Sequence, residues 1–211
     1  MSLQATVELV PAPPDTLAID FANTRYWRGS PLPTETLSDL PDLLDWAATT
    51  ALVAPSTLVR LRTNWAARPG DAAAVFAEAL ALREAMFRGL ADASVGGVPD
   101  PADLALLNAA LADAPARRRL RQSPAGRGWE VDVMAPRAAS LLAPVLWSAG
   151  DLLLGPKLAR VRQCANPACG YLFLDDSKTG NRRWCSMAAC GNRAKAHRHY
   201  LRRKASTPPA A

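Results

Sequence analysis

The sequence predicts a mainly helical fold with small β elements, arranged as a helical N-terminal domain followed by a short cysteine-bearing appendage. Three observations predict it. Alanine and leucine supply 42 and 29 of 211 residues while aromatics are only 6%, a composition that favours helix over a large β-sandwich. Apolar residues recur at helical spacing through most of the first 154 positions. All four cysteines fall between residues 164 and 190. With 49% hydrophobic and 21% charged residues, disorder as the main state is excluded, and prolines and glycines are spread as punctuation rather than as a repeat.

Leu17-Ala18-Ile19-Asp20-Phe21-Ala22-Asn23-Thr24 alternates apolar with smaller or polar residues and predicts a short strand leading into the loop from Arg25 to Pro33. Leu40, Leu43, Leu44 and Ala47 then mark a helix over about 39–49, with Pro41 tolerated in its first turn. Pro55 and Ser56 open a second helix carrying Leu58, Leu61 and Trp65, which Pro69-Gly70 should stop. Asp71 is expected to cap a third, reaching about Ala93, whose wide apolar stripe is interrupted only by Arg83. Asp100-Pro101-Ala102-Asp103 is a strong start signal for a helix over 101–113. The basic run from Arg117, the SPAGRG turn and the alternation of Trp129 to Val133 predict a hairpin. Pro136 should begin the last helix of the body, which ends at Gly155-Pro156.

No stretch is suited to span a membrane, because the longest apolar run, Ala138 to Leu154, is broken by Pro144 and Asp151. The N-terminus lacks a basic flank and carries Glu8, so it does not read as an export signal, and the expected compartment is the cytoplasm. Charge divides the chain sharply. Residues 1–156 hold 13 basic and 17 acidic groups, and residues 157–211 hold 12 and 2; the net charges of −4 and +10 return the total of +6. Such a tail has the electrostatic character of a polyanion-binding surface. Arginine outnumbers lysine 21 to 4, so location rather than arginine content carries that argument. The expected domains are therefore 1–156, 157–204 and a flexible tail over 205–211.

In the tail, Cys164-x4-Cys169 and Cys185-x4-Cys190 form two pairs separated by fifteen residues. In a reducing compartment this spacing points to one tetrahedral zinc site rather than to disulfides. Four thiolates close the shell of the ion and leave no position for water or substrate, so the zinc is expected to be structural. A segment this short cannot hold itself together by burial alone, and metal binding should supply folding free energy. His197 is expected to pack inward beside Ala194 and Leu201, with His199 facing solvent or phosphate; neither reads as a general base.

Between the cysteine pairs, Tyr171 to Leu174 and Arg182 to Trp184 predict the two strands of a hairpin joined by the turn-rich Asp175 to Asn181. A helix from Met187 to Lys204 should follow, with Arg193, Lys195, Arg198, Arg202, Arg203 and Lys204 on its surface. Ordinary solvated faces mix both signs of charge, whereas no acid follows Asp176. Arg182, Arg183, Asn192, Arg193, Lys195, Arg198, Arg202 and Arg203 are the candidate nucleic-acid contacts.

Cys190-Gly191-Asn192-Arg193, preceded by Arg182-Arg183-Trp184-Cys185-Ser186, resembles the CGNR zinc finger. The LAIDFANT and DLPDLLDWA segments resemble the ABATE domain that accompanies it. The resemblance implies a bacterial stress-induced transcription regulator with a treble-clef-like finger, in which DNA is favoured over RNA as the partner. RNA binding, through Tyr171, Phe173, Trp184 and Tyr200 stacking on unpaired bases, is the principal alternative. A protein-interaction finger is a further one, and no motif supports an enzyme. Asp20, Asn23, Thr24, Arg25 and Trp27 form a polar-aromatic group expected to line a small-ligand pocket of a sensor. Dimerisation is expected on the ground that a single finger binds weakly, although it has no sequence signature.

Overall fold

The computed structural model describes residues 8–51, 53–123, 126–131 and 135–205, with side chains for all of these except Glu8, Ser123 and residues 200–205. In chain order the elements are β1 (Glu8–Val10), α1 (Leu17–Ala22), β2 (Arg25–Tyr26), β3 (Thr34–Glu35), α2 (Leu40–Thr49), α3 (Pro55–Ala66), α4 (Pro69–Ser94) and α5 (Pro101–Asp113). There follow β4 (Arg119–Ser123), β5 (Gly126–Val131), α6 (Ala138–Leu141), α7 (Ala143–Leu154), β6 (Val161–Gln163), β7 (Leu172–Leu174) and α8 (Asn192–Ala205). A 3-10 turn over Pro156–Arg160 enters β6, and a wide π turn over Met187–Gly191 enters α8.

Local chemistry sets the helix starts. Asp39 Oδ1 accepts the Asp42 N–H while Asp42 Oδ2 accepts the Ser38 N–H, fixing the start of α2. Asp100 Oδ1 does the same for Ala102 at α5. The longest helix, α4, is the axis of the body: Ala79, Leu82, Ala85, Met86 and Leu90 are buried, and α1, α2, α3, α5, α6 and α7 all pack against it. Pro69 belongs to the first turn of α4, so Arg68 rather than Asp71 precedes the helix.

Three expectations about the body change. Residues 17–22 form a helix, not a strand, because α1 is enclosed between α4 and α7 and buries Leu17, Ala18, Ile19, Phe21 and Ala22. With every residue of so short a helix buried except Asp20, helical periodicity is masked. The hairpin β4–β5 is present and gains β1 as a third antiparallel strand, in the order β1-β5-β4; Asp132 and Val133 lie outside the described residues. The last body helix is interrupted at Leu142, since Pro144 sits in the first turn of a new helix, where its missing N–H does no harm.

The finger differs more. β7 pairs antiparallel with β6, with Val161 opposite Leu174 and Gln163 opposite Leu172, so the hairpin encloses the first cysteine pair instead of joining the two pairs. Residues 182–184 are not a strand; Asp175 draws this segment in by side-chain contacts instead. Val161, Leu172 and Leu174 belong to the same apolar core as the body helices, while Cys164, Cys169, Cys190 and Phe173 make a second, smaller core. The Gly155-Pro156 junction therefore separates charge, but the packing runs across it.

Candidate zinc centre and cationic face

The first cysteine pair sits on the turn between β6 and β7. Cys164 N–H donates to Tyr171 O at 2.9 Å, and Cys169 N–H closes a turn on Asn166 O at 2.9 Å. Gly170 follows with φ of 65°, a left-handed conformation that glycine adopts without a Cβ penalty. Asn166 braces the turn: its Oδ1 accepts the Ala168 N–H at 3.1 Å, and its Nδ2 lies 3.5 Å from Cys190 Sγ. For the second pair, Ser186 caps the π turn, its carbonyl accepting the N–H groups of Cys190 and Gly191 at 3.0 Å each.

Between the pairs, Asp175 supplies a knot that the sequence reading did not assign. Its carboxylate is buried and accepts the Ser177 N–H and hydroxyl at 3.0 and 2.5 Å and the Arg182 N–H at 2.9 Å. The Ser177 hydroxyl foremost, with the two N–H groups, holds this carboxyl below its ordinary range. The available signal was the Asp-Asp-Ser run, whose acid two residues before serine suits an Asx turn. Ala165 N–H then donates to Arg183 O at 2.9 Å, bringing the second pair against the first.

The four Sγ atoms lie within 4.8 Å of one another. Cys169 to Cys185 is 3.7 Å and Cys185 to Cys190 is 3.8 Å. Tetrahedral zinc–thiolate bonds of about 2.3 Å put sulfurs about 3.8 Å apart, so the donor set fits zinc in both chemistry and spacing, and the cysteines are free of disulfides. Burial, reinforced by the neighbouring sulfurs, pushes the Cys185 thiol strongly up, and burial raises Cys169 to about 11. Burial also acts upward on Cys164, but N–H groups of Cys185 and Asn166 outweigh it and bring that thiol down. One thiol drawn down beside two pushed up makes a crowded set that a dication completes by displacing protons. Zinc here holds Cys164, Cys169, Cys185 and Cys190 together as one structural ion.

The polar-aromatic group of the body fastens this centre. Asn23 Nδ2 donates to Leu172 O at 2.8 Å and its Oδ1 accepts the Leu172 N–H at 3.0 Å, so the side chain serves β7 as a neighbouring strand would. Thr24 donates to Phe21 O and accepts from Arg83. Arg25 Nη1 lies 4.0 Å from Glu84, and Asp20 is exposed and accepts the Thr16 hydroxyl. Trp27 takes φ of 54°, unusual for a residue with a Cβ, and packs on the cysteine core. Next to it, Arg28 donates its backbone N–H to Cys169 O at 3.2 Å and its guanidinium to Glu84 and Ala22 O, over the Phe87 ring. Asn23, Trp27 and Arg28 are thus spent on joining body and finger, and Thr24 on bonds within the body.

The nucleic-acid candidates divide. Arg182 donates to the carbonyls of Trp184 and Cys185 and covers the Phe173 ring, so it supports the site. Arg183, Asn192, Arg193, Lys195 and Arg198 are exposed. Among the described residues no carboxylate pairs with Arg183, Arg193, Lys195 or Arg198. Arg202 and Arg203 belong to α8, but their side chains, like those of Tyr200 and Leu201, lie outside the described residues. His197 is exposed rather than packed inward, because the turn at Cys190 carries α8 away from the small core. It lines a groove of about 470 Å³ with Pro167, Trp184, Ala194, Arg193 and Arg198. A second, mostly apolar cavity of about 520 Å³ lies between α2, α3 and α4, with Leu40, Leu44, Trp65 and Phe76 in its walls and Arg62 at its edge.

A helical body carrying a cysteine knuckle, a π turn and a basic helix defines a zinc-finger protein. Residues 15–156 match the ABATE family, described as "Putative stress-induced transcription regulator", and residues 160–203 match the CGNR zinc finger. The chain belongs to the ABATE family and ends in a CGNR finger. No curated protein matches it. No described helix is long and apolar enough to cross a membrane.

Proposed function

We propose that this protein is a zinc-dependent DNA-binding transcription regulator, in which the zinc centre fixes α8 and the finger meets the duplex through its basic surface. The observation that carries the reading is the set of exposed cations Arg183, Arg193, Lys195 and Arg198, without carboxylate partners among the described residues. Paired surface charges would offer a polyanion little; unpaired ones, here three on α8 and Arg183 before the second cysteine pair, release counterions on binding. A helix about 10–12 Å across matches a major groove about 12 Å wide. DNA is favoured over RNA because Phe173 is buried under Arg182 and Tyr171 is half-buried, which leaves Trp184 alone, among the described residues of that aromatic set, in an open groove, too little to track a single strand base by base. A dimer would present two fingers to paired half-sites. The closed thiolate shell suits a binding protein rather than a catalyst. Lys195→Glu combined with Arg198→Glu tests the reading: duplex affinity should fall at least tenfold with the thermal midpoint unchanged, and unchanged affinity would remove the proposed surface.

The apolar cavity between α2, α3 and α4 favours a sensing role for the body as a second reading, with an apolar small molecule as effector. A thermal-shift screen of apolar metabolites checks it. The expected hit raises the midpoint of the wild type and not of Ala73→Trp, which fills the cavity.

A further inference from the structure

The groove beside the zinc centre has a chemistry that the basic surface alone does not account for. Its walls are apolar and partly aromatic, formed by Pro167, Trp184 and Ala194, and its edges carry Arg183, Arg193, Arg198 and His197. Among the described residues no carboxylate lines it. Along α8, Ala194 and His197 share one face at helical spacing, and Arg193 and Arg198 flank that face on either side. Arg183 lies 5.5 Å from the Trp184 ring centre and Arg193 4.8 Å from that of Trp27, so both guanidiniums are held by aromatic faces and keep donors for an anion.

We propose that this groove takes one unpaired nucleotide, with the base against Trp184 and Pro167 and its phosphate among Arg183, Arg193 and Arg198. The inference rests on the nucleic-acid reading above and deepens it. An apolar slot alone would suit any apolar ligand, and a cationic edge alone any anion. A planar indole next to guanidiniums selects a planar group joined to a phosphate, and about 470 Å³ lies within the size range of small-ligand sites. The exposed His197 imidazole offers a donor and an acceptor to the base edge. The groove is continuous with the basic surface through Arg198, so a nucleotide extruded from a bound strand reaches it without leaving the protein. A free mononucleotide has the same chemistry.

The test uses the full zinc-loaded chain and two short labelled duplexes, one fully paired and one with a single unpaired thymidine, titrated by anisotropy with and without thymidine monophosphate. Stacking of one base on an aromatic side chain predicts about a fivefold or greater preference for the unpaired duplex. Ala194→Phe fills the groove without touching a charge and should abolish that preference while leaving paired-duplex affinity intact; His197→Ala should weaken it. If the monophosphate removes the preference and also quenches tryptophan fluorescence without DNA, the groove serves the free nucleotide as well. If it does neither while the preference holds, the groove serves the strand. Equal affinity for the two duplexes, or a preference that survives Ala194→Phe, overturns the groove proposal. Failure to bind either duplex overturns the regulator reading instead.

Discussion

Arg83 lies 2% exposed at the centre of α4, where the sequence shows only an interruption of an apolar stripe. Its guanidinium holds Glu35 through both oxygens, at 2.6 and 2.7 Å, and reaches Thr24 and Glu84. Removing the guanidinium strips these hydrogen bonds, but Glu35 keeps access to water, so Arg83→Met should cost about 1–3 kcal/mol in urea unfolding. Burial alone would raise the Glu35 carboxyl, but the hydrogen bonds and charge of Arg83 outweigh it and hold it below its ordinary 4.5. A depressed carboxylate contributes stability that is present above 4.5 and lost as pH falls through the lower folded value. Acid unfolding below about pH 4 should therefore be shallower in Glu35→Gln than in the wild type. Asn23 makes the same point across the chain: Asn23→Leu leaves both backbone groups of Leu172 unpaired on that side, and should lower stability by about 1–3 kcal/mol in thermal or urea melts. The cysteines were legible as ligands because their spacing is local. The partners of Arg83 and Asn23 stand 48 and 149 positions away, where no periodicity reaches.

At the scale of elements, caps and prolines gave α2, α3 and α5 their starts, because those signals act within one turn of helix. The strand expected at 17–22 and the hairpin expected between the cysteine pairs both failed on tertiary context. Enclosure left only Asp20 of α1 exposed, and β6, a short Val-Arg-Gln segment before Cys164, gave no strand pattern of its own. That β6–β7 hairpin alters what chelation should do. Val161, Leu172 and Leu174 are anchored in the body core, so removing zinc should expose residues 175–191 and the first turn of α8 to amide exchange while the hairpin stays protected. Loss of protection throughout 157–205 would contradict this. The reverse face of the joint is tested by Gly29→Ala: an added Cβ would stand 2.0 Å from the Pro167 carbonyl oxygen. Displacing backbone next to the first cysteine pair should lower the melting midpoint and speed zinc transfer to a chelator dye.

For the whole molecule, the main apolar core runs from the acidic body into the β6–β7 hairpin of the basic finger, and the cysteines form a smaller core beside it. The charge division was plain in the sequence because it needs only counting, whereas the continuity of packing across Gly155-Pro156 depends on contacts between distant segments. The body fixes the finger through Asn23, Trp27 and Arg28, and the zinc fixes α8. The cations of the finger are then held in place, and the proposed contact with DNA would leave little to order on binding. The most direct test is the anisotropy of the zinc-loaded chain with a labelled duplex at about 50 and 200 mM salt. If Arg183, Arg193, Lys195 and Arg198 each neutralise a phosphate, affinity should fall about a hundredfold over that interval and be largely lost in the Lys195→Glu, Arg198→Glu variant. Salt-independent binding, or none at the lower salt, would contradict the account.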